Sequence, residues 1–179
     1  MANQTVQATI FTAMHPDIAK RTNVGSMFIS LAMLVVGFAA FFSAFQLDDQ
    51  SSSLSMLLMV LGTALLLMGV FRVFWKSKEM VYLPTGSATK EHSLYFDTRH
   101  AGDISELLKA GKFPVDNVIK SAHSGNVRLD VLLSQDSRFA AVQLFQFVPY
   151  TYDPVTPVYY FIGEQASALS AYLQKSRMK

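Results

Sequence analysis

Four histidines, His15, His92, His100 and His123, are the residues of this sequence best suited to hold a metal ion or to carry a proton near neutral pH. No two of them stand three or four positions apart, the spacing that puts two ligands on one face of a helix. The densest set of potential ligands is His92, Asp97, His100 and Asp103, all within twelve residues. Within one strand His92 and Asp97 would point to opposite faces, because side chains alternate there, and solvated surface groups are then the default expectation. The sequence holds no Gly-x-Ser-x-Gly elbow, no phosphate loop and no dinucleotide fingerprint. The run from Pro84 to Lys90 is rich in hydroxyls and ends in lysine, but it lacks the second glycine of a phosphate loop and reads as a turn. No catalytic, cofactor-binding or metal-ligating residue is therefore assigned, and no cofactor is expected.

A different chemistry is concentrated between Phe145 and Phe161, where seven aromatic residues fall within 17 positions and three prolines interrupt them. Aromatic side chains on a proline-stiffened backbone offer large contact area at low entropic cost, which suits protein recognition. The candidate partner-binding residues are Phe147, Tyr150, Tyr152, Tyr159 and Tyr160. The competing expectation is that Phe145, Phe147 and Phe161 fill a core while the tyrosines rim a sheet.

The elements that must position these residues are dominated by two apolar runs. In a chain of 179 residues that is 51% hydrophobic, no charged residue occurs from Thr22 to Leu47 or from Gln50 to Phe71. Each run is long enough to cross roughly 30 Å of hydrocarbon at about 1.5 Å per residue. The first is longer than the apolar part of a cleaved signal and a second run follows it closely, so a retained two-helix hairpin is expected. Lys20 and Arg21 precede it, Arg72, Lys76 and Lys78 follow it, and the connection from Asp48 to Ser53 has no cation. The positive-inside rule then puts both flanks, and with them both termini, on the cytoplasmic side, in the inner membrane if the source is bacterial.

The absence of cysteine excludes disulfides, thiolate metal sites and cysteine nucleophiles. A net charge of +2 without a cluster of Lys and Arg gives no footprint for nucleic acid. The helix interiors hold no ionisable group, which argues against a proton or ion path through this chain alone. Small residues at Gly37, Ala40, Ala44, Gly62 and Gly69 are the candidates for close helix packing. Ser30, Ser43 and Thr63 could line a pore in an oligomer, although hydroxyls bonded to their own helix backbone are the simpler expectation.

The expected fold is thus a membrane α-helical hairpin followed by a small α+β domain with a mostly antiparallel sheet. Residues 1–26 form an N-terminal segment, 27–75 the hairpin with its external loop at 48–53, and 76–179 the α+β domain. Apolar positions at Val6, Ile10, Phe11, Met14 and Ile18 predict a short helix that lies on the membrane or docks on that domain. Strands are predicted at Met80–Pro84 and around Ser93–Asp97. A helix starting at a capping box of Asp103 and Glu106 is expected to stop at Gly111. Pro114 is expected to open a second helix through Ala122. Alternation at Val127, Leu129, Val131 and Leu133 predicts a strand with one buried face, paired with a central strand over Phe139–Val148. After a proline-rich turn come a strand at Val158–Ile162 and a closing helix with Ala166, Leu169 and Leu173 inward. The expected function is a membrane-anchored non-enzymatic adaptor or assembly subunit, with the bilayer and either a protein partner or a second copy as partners. The alternatives are a membrane-tethered enzyme using His92 to Asp103 and an accessory subunit of a pore or transporter.

Overall fold

The computed structural model describes residues 9–10, 15–48, 52–114, 116 and 118–177. The chain divides into two compact units, one of residues 20–79 and one of residues 1–19 with 80–179. The division passes through two strands, β1 (Ile18–Thr22) and β2 (Lys78–Tyr82).

The unit of residues 20–79 is built on two long helices, α1 (Val24–Phe45) and α2 (Ser53–Lys76). With 22 and 24 residues and mean hydropathies of 2.3 and 2.4, both are long and apolar enough to cross a membrane. Each starts on a side-chain cap. Asn23 accepts from the Ser26 amide at 2.8 Å, and Ser52 accepts from the Ser55 amide at 3.2 Å, which satisfies donors that the first turn leaves free. The helices run antiparallel, with Ser30 beside Gly69, Gly37 beside Gly62 and Ala44 beside Ser55.

The second unit is an antiparallel sheet with two helices. The strands beyond β2 are β3 (Ser87–Phe96), β4 (Val127–Ser134), β5 (Phe139–Val148), β6 (Thr151–Pro154) and β7 (Tyr159–Ile162). Their order is β1-β2-β3-β4-β5-β6, with β7 pairing the first half of β5 and β6 its second half. The helices α3 (Ala101–Ala110) and α4 (Glu164–Arg177) bring Ile104, Leu108, Ala166, Leu169 and Leu173 into one core with Leu94, Phe96, Val127, Leu129, Val131, Val142 and Leu144 of the sheet. A smaller core on alternate positions gathers Ile10, Ile18, Tyr82, Leu132, Phe139 and Ala141. The strand β5 is buried from Phe139 to Phe145 on both faces, as expected of a central strand.

Several local expectations give way to long-range contacts. Ile18 and Ala19 belong to a strand, not to a helix, and Ile10 and Ile18 are buried in the smaller core; Val6, Phe11 and Met14 lie outside the described residues. Ahead of α3, the capping acid is Asp97, which accepts from the Arg99 amide at 3.0 Å and starts a 3-10 turn over Thr98–His100. Asp103 instead sits inside the first helical turn, where its charge still suits the helix N-terminus. Gly111 closes α3 at φ 61 as its type requires.

No helix follows Pro114 among the described residues of that segment. Its backbone bonds elsewhere: the Ile119 amide donates to the Tyr172 hydroxyl at 3.1 Å, the Ser121 amide to the Ser176 carbonyl at 3.1 Å, and the Ala122 amide to the Tyr95 carbonyl at 2.8 Å. Groups committed to α4 and β3 cannot also close helical turns. Nor does β4 have only one buried face, since Asp130 and Leu132 are buried opposite Leu129 and Val131. The proline-rich turn contains the short strand β6.

Candidate functional site

The aromatic segment is split by the sheet register. On β5 and β6, Phe147 is the partner of Tyr152, and Phe145 that of Pro154. The row continues inward as Arg128 opposite Phe145 and Tyr95 opposite Arg128. Side chains of one cross-strand row share a face, and here they touch. The Arg128 guanidinium lies over the Tyr152 ring at 4.6 Å and the Phe145 ring at 5.0 Å, while Phe147 meets Tyr152 edge-on at 5.3 Å. Arg128 is tied to buried Asp130 at 3.0 Å, and Asp130 also accepts from Ser93 Oγ at 2.7 Å. Tyr152 donates its hydroxyl to the Gly125 carbonyl at 2.9 Å. The outcome is an aromatic patch held from below by an ion pair, with Tyr152 fixed in place and Phe147 46% exposed above it.

Val148 pairs with Thr151, so only Pro149 and Tyr150 form the loop. Proline first and positive φ second is the pattern of a type II turn, whose second position favours glycine or asparagine. Tyr150 occupies it at φ 73 and is 100% exposed. Tyr159 and Tyr160 do not join this patch. Tyr159 packs on the larger core and Tyr160 on the smaller one, where burial raises the Tyr160 pKa.

The histidine-rich stretch is likewise divided. His92 lines a recess of about 420 Å³ with Leu133, Ser170, Leu173, Gln174 and Arg177. Burial, then the charges of Arg177 and Lys90, lower its pKa. His100 and Asp103, with Nδ1 and Oδ2 3.7 Å apart, line a separate open cleft of about 1200 Å³ between α3, α4 and residues 110–114 and 118–120. Asp97 faces Arg99, whose backbone amide and then guanidinium hold its carboxyl below the usual range. Among the described residues no three His, Asp or Glu side chains converge as metal ligands do.

In the hairpin, the small residues form a continuous seam. Ser30, Gly37 and Ala44 recur every seven residues on α1, and Ser55, Gly62 and Gly69 do so on α2, the period of a left-handed helix pair. A Cβ on Gly37 would lie 2.9 Å from the Leu66 amide nitrogen, and one on Gly62 2.7 Å from that of Phe41. Ala44 is fully buried and accepts a hydrogen bond on its carbonyl from Ser55 Oγ at 3.2 Å, whereas Ala40 is half-buried beside the seam. Ser30 Oγ donates to the Ser26 carbonyl four residues back at 2.9 Å, and Ser43 and Thr63 are exposed on the outer surface of the pair.

Residues that local pattern did not mark are the Arg128–Asp130 pair and Gln143. Gln143 is fully buried, accepts from the Ile10 amide at 3.1 Å and donates to the Thr156 carbonyl at 3.2 Å. A charged pair two apart within an alternating strand was the available signal for the first. Nothing in the neighbouring sequence signals the second.

A family model described as a domain of unknown function, DUF8460, matches residues 19–80. That stretch extends one residue beyond the helical unit of residues 20–79 at each end. No curated protein and no solved structure matches the chain.

Proposed function

We propose that the chain is a membrane-anchored, non-enzymatic adaptor or assembly subunit, in which the hairpin spans the membrane and the α+β unit engages a protein partner or a second copy on the cytoplasmic side. The observation that carries this reading is Tyr150. A tyrosine that is 100% exposed at φ 73, beside the exposed Phe147, adds nothing to a core and sits where glycine would be cheaper. Exposed aromatic anchors over an ordered polar support are the usual centre of a protein interface. The side assignment rests on charge: cations stand at both flanks of the hairpin, and none on the loop between Asp48 and Ser53.

The deciding measurement is mild-detergent purification of the tagged full-length protein at native abundance, with the native mass of the complex. A stoichiometric partner, or a defined homo-oligomer, is expected to be lost in the double variant Phe147→Ser, Tyr150→Ser while the protein keeps a cooperative thermal transition. A complex indifferent to both substitutions would overturn the reading. The 1200 Å³ cleft beside His100 and Asp103 favours the enzyme alternative, and a phenotype lost in His100→Ala but kept in the double variant would establish that instead.

A further inference from the structure

The end of the hairpin where α1 begins and α2 finishes is unusually rich in groups that want an anion. The Asn23 amide donates to the Ser77 carbonyl at 2.8 Å and closes the two helices against each other there. Beside this junction lies a recess of about 420 Å³ lined by Asn23, Ser26, Arg72, Trp75, Lys76 and Lys78, among others. Arg72 and Lys76 are four apart on one helical face, so their stems run side by side. Among the described residues neither of them, nor Lys78, has a carboxylate within ion-pair distance. The one acid at this end, Glu79, is already engaged by Arg21 at 3.2 Å and by the Asn23 side-chain amide at 2.8 Å.

Two buried polar atoms around the recess also lack partners. Ser26 is 7% exposed and its Oγ bonds to nothing, and Arg72 Nε is buried without an acceptor. A buried donor left without an acceptor is costly and calls for an explanation. The amides of the first turn of α1 add positive potential on the same side, since an N-terminus carries about half a positive charge. Trp75, 79% exposed and stacked on Phe71 at 5.5 Å, is the kind of ring that sits at headgroup depth.

We infer that this recess binds the phosphate of one anionic phospholipid headgroup per chain, with Arg72, Lys76 and Lys78 supplying charge and Ser26 supplying a hydroxyl donor. The position at the end of an apolar hairpin favours a lipid over a soluble phosphate, because acyl chains can lie along the outward-facing Phe71, Phe74 and Trp75 while the headgroup meets the cations. A basic recess between transmembrane helices also differs from the general attraction of a charged leaflet by its stoichiometry, which must saturate at one.

The test is native mass spectrometry of the full-length protein in mild detergent, titrated with phosphatidylglycerol and, separately, with phosphatidylcholine. Expected is a single retained phosphatidylglycerol, preferred over phosphatidylcholine, with affinity falling about fivefold for each cation removed in Arg72→Gln and Lys76→Gln. Lys78→Gln, at the start of β2 and outside both helices, should lower affinity by a similar factor and guards against misfolding of the helix variants. Ser26→Ala should weaken the single adduct without changing the net charge, which diffuse attraction would not do. Equal retention of the two lipids, or of phosphatidylglycerol by Lys76→Gln and Lys78→Gln, would overturn the proposal. Displacement of the adduct by inorganic phosphate would overturn it too, in favour of a soluble phosphate ligand.

Discussion

The hairpin and the α+β unit bury opposite kinds of residue. In the sheet unit the interior is made of Phe96, Phe139, Leu144 and Leu169, all less than 2% exposed. In the hairpin the contact is made of Ser30, Gly37, Ala44, Ser55, Gly62 and Gly69, while Phe28, Leu31, Val35, Phe38 and Trp75 point away from the partner helix. Water makes the first arrangement favourable, because each large apolar side chain removed from it contributes about 1.5–3 kcal/mol. A lipid tail is as apolar as leucine, so for a pair that spans a membrane, as proposed above, nothing is gained by burying large groups. What remains is close backbone approach, which small residues permit.

The sharpest way to break this contrast uses one residue type in both places. Phe139→Ala opens a cavity in the smaller core under Tyr82 and Tyr160, whose rings lie 4.9 and 6.3 Å away, and should cost about 3–5 kcal/mol. Phe28→Ala, at a position 73% exposed on α1, should leave the thermal midpoint of the detergent-solubilised protein nearly unchanged. Equal shifts in the two variants would mean that the hairpin, too, is held by burial from water.

Glycine offers the next comparison. A side chain on Gly62 meets the backbone of Phe41 at 2.7 Å, and backbone cannot swing aside, so Gly62→Ile should cost about 1–3 kcal/mol or separate the helices. Because the chain has no cysteine, a pair introduced as Ala44→Cys and Ser55→Cys reports the contact by disulfide formation, which Gly62→Ile should abolish. Gly102, by contrast, lies in α3 where an added Cβ would meet nothing within 4 Å beyond its chain neighbours and its own helix backbone. Gly102→Ala should therefore stabilise the sheet unit by about 0.5–1 kcal/mol.

Tyr150 separates stability from recognition within the sheet unit itself. Tyr150→Gly relieves a positive φ and removes no buried contact, so unfolding should move upward, by about 1 kcal/mol at most, against the entropy that glycine adds to the unfolded chain. Partner or self-association should fall in the same variant. A loss larger than the about 1 kcal/mol that glycine's unfolded-chain entropy can cost would mean that the ring is held by a contact in the folded protein, and the recognition surface would have to be sought elsewhere.

How far these features could be read from sequence follows from the range of the interactions behind them. The hairpin is legible because apolar character extends over every residue of two long runs, and its seam because Gly62 and Gly69 repeat at the heptad spacing. The cap at Gly111 and the β4–β5 hairpin rest on neighbours a few residues apart. Illegible were the features decided across the fold. Apolar positions after Pro114 suit a helix, yet Ile119, Ser121 and Ala122 bond to α4 and β3. Ile10 looked like a helical stripe residue and is buried in the smaller core, its amide bonded to Gln143, 133 residues away. The aromatic segment looked like one surface, and only the packing and register show that Tyr159 and Tyr160 belong to two cores while Phe147 and Tyr152 pair across β5 and β6 and Tyr150 stands exposed in the loop between them.

The smallest expected effect concerns the charge that the sheet unit tolerates in its recess beside α4. Partial burial lowers the pKa of His92, and Arg177 and Lys90 lower it further, so its neutral form is the one the folded state prefers. The unfolded chain keeps the ordinary value of about 6.5 and therefore binds the proton more readily. Stability attributable to this group is then complete above about pH 6.5 and declines as pH falls below it, since protonation favours the unfolded chain. His92→Gln removes the titration while keeping a polar side chain at the mouth of the recess. The difference in thermal midpoint between wild type and His92→Gln should shift in favour of the variant between about pH 7.5 and about pH 5.5. The other histidines are common to both proteins and cancel from that difference. A difference that stays constant over this range would show that the recess admits enough water to solvate an imidazolium despite Arg177.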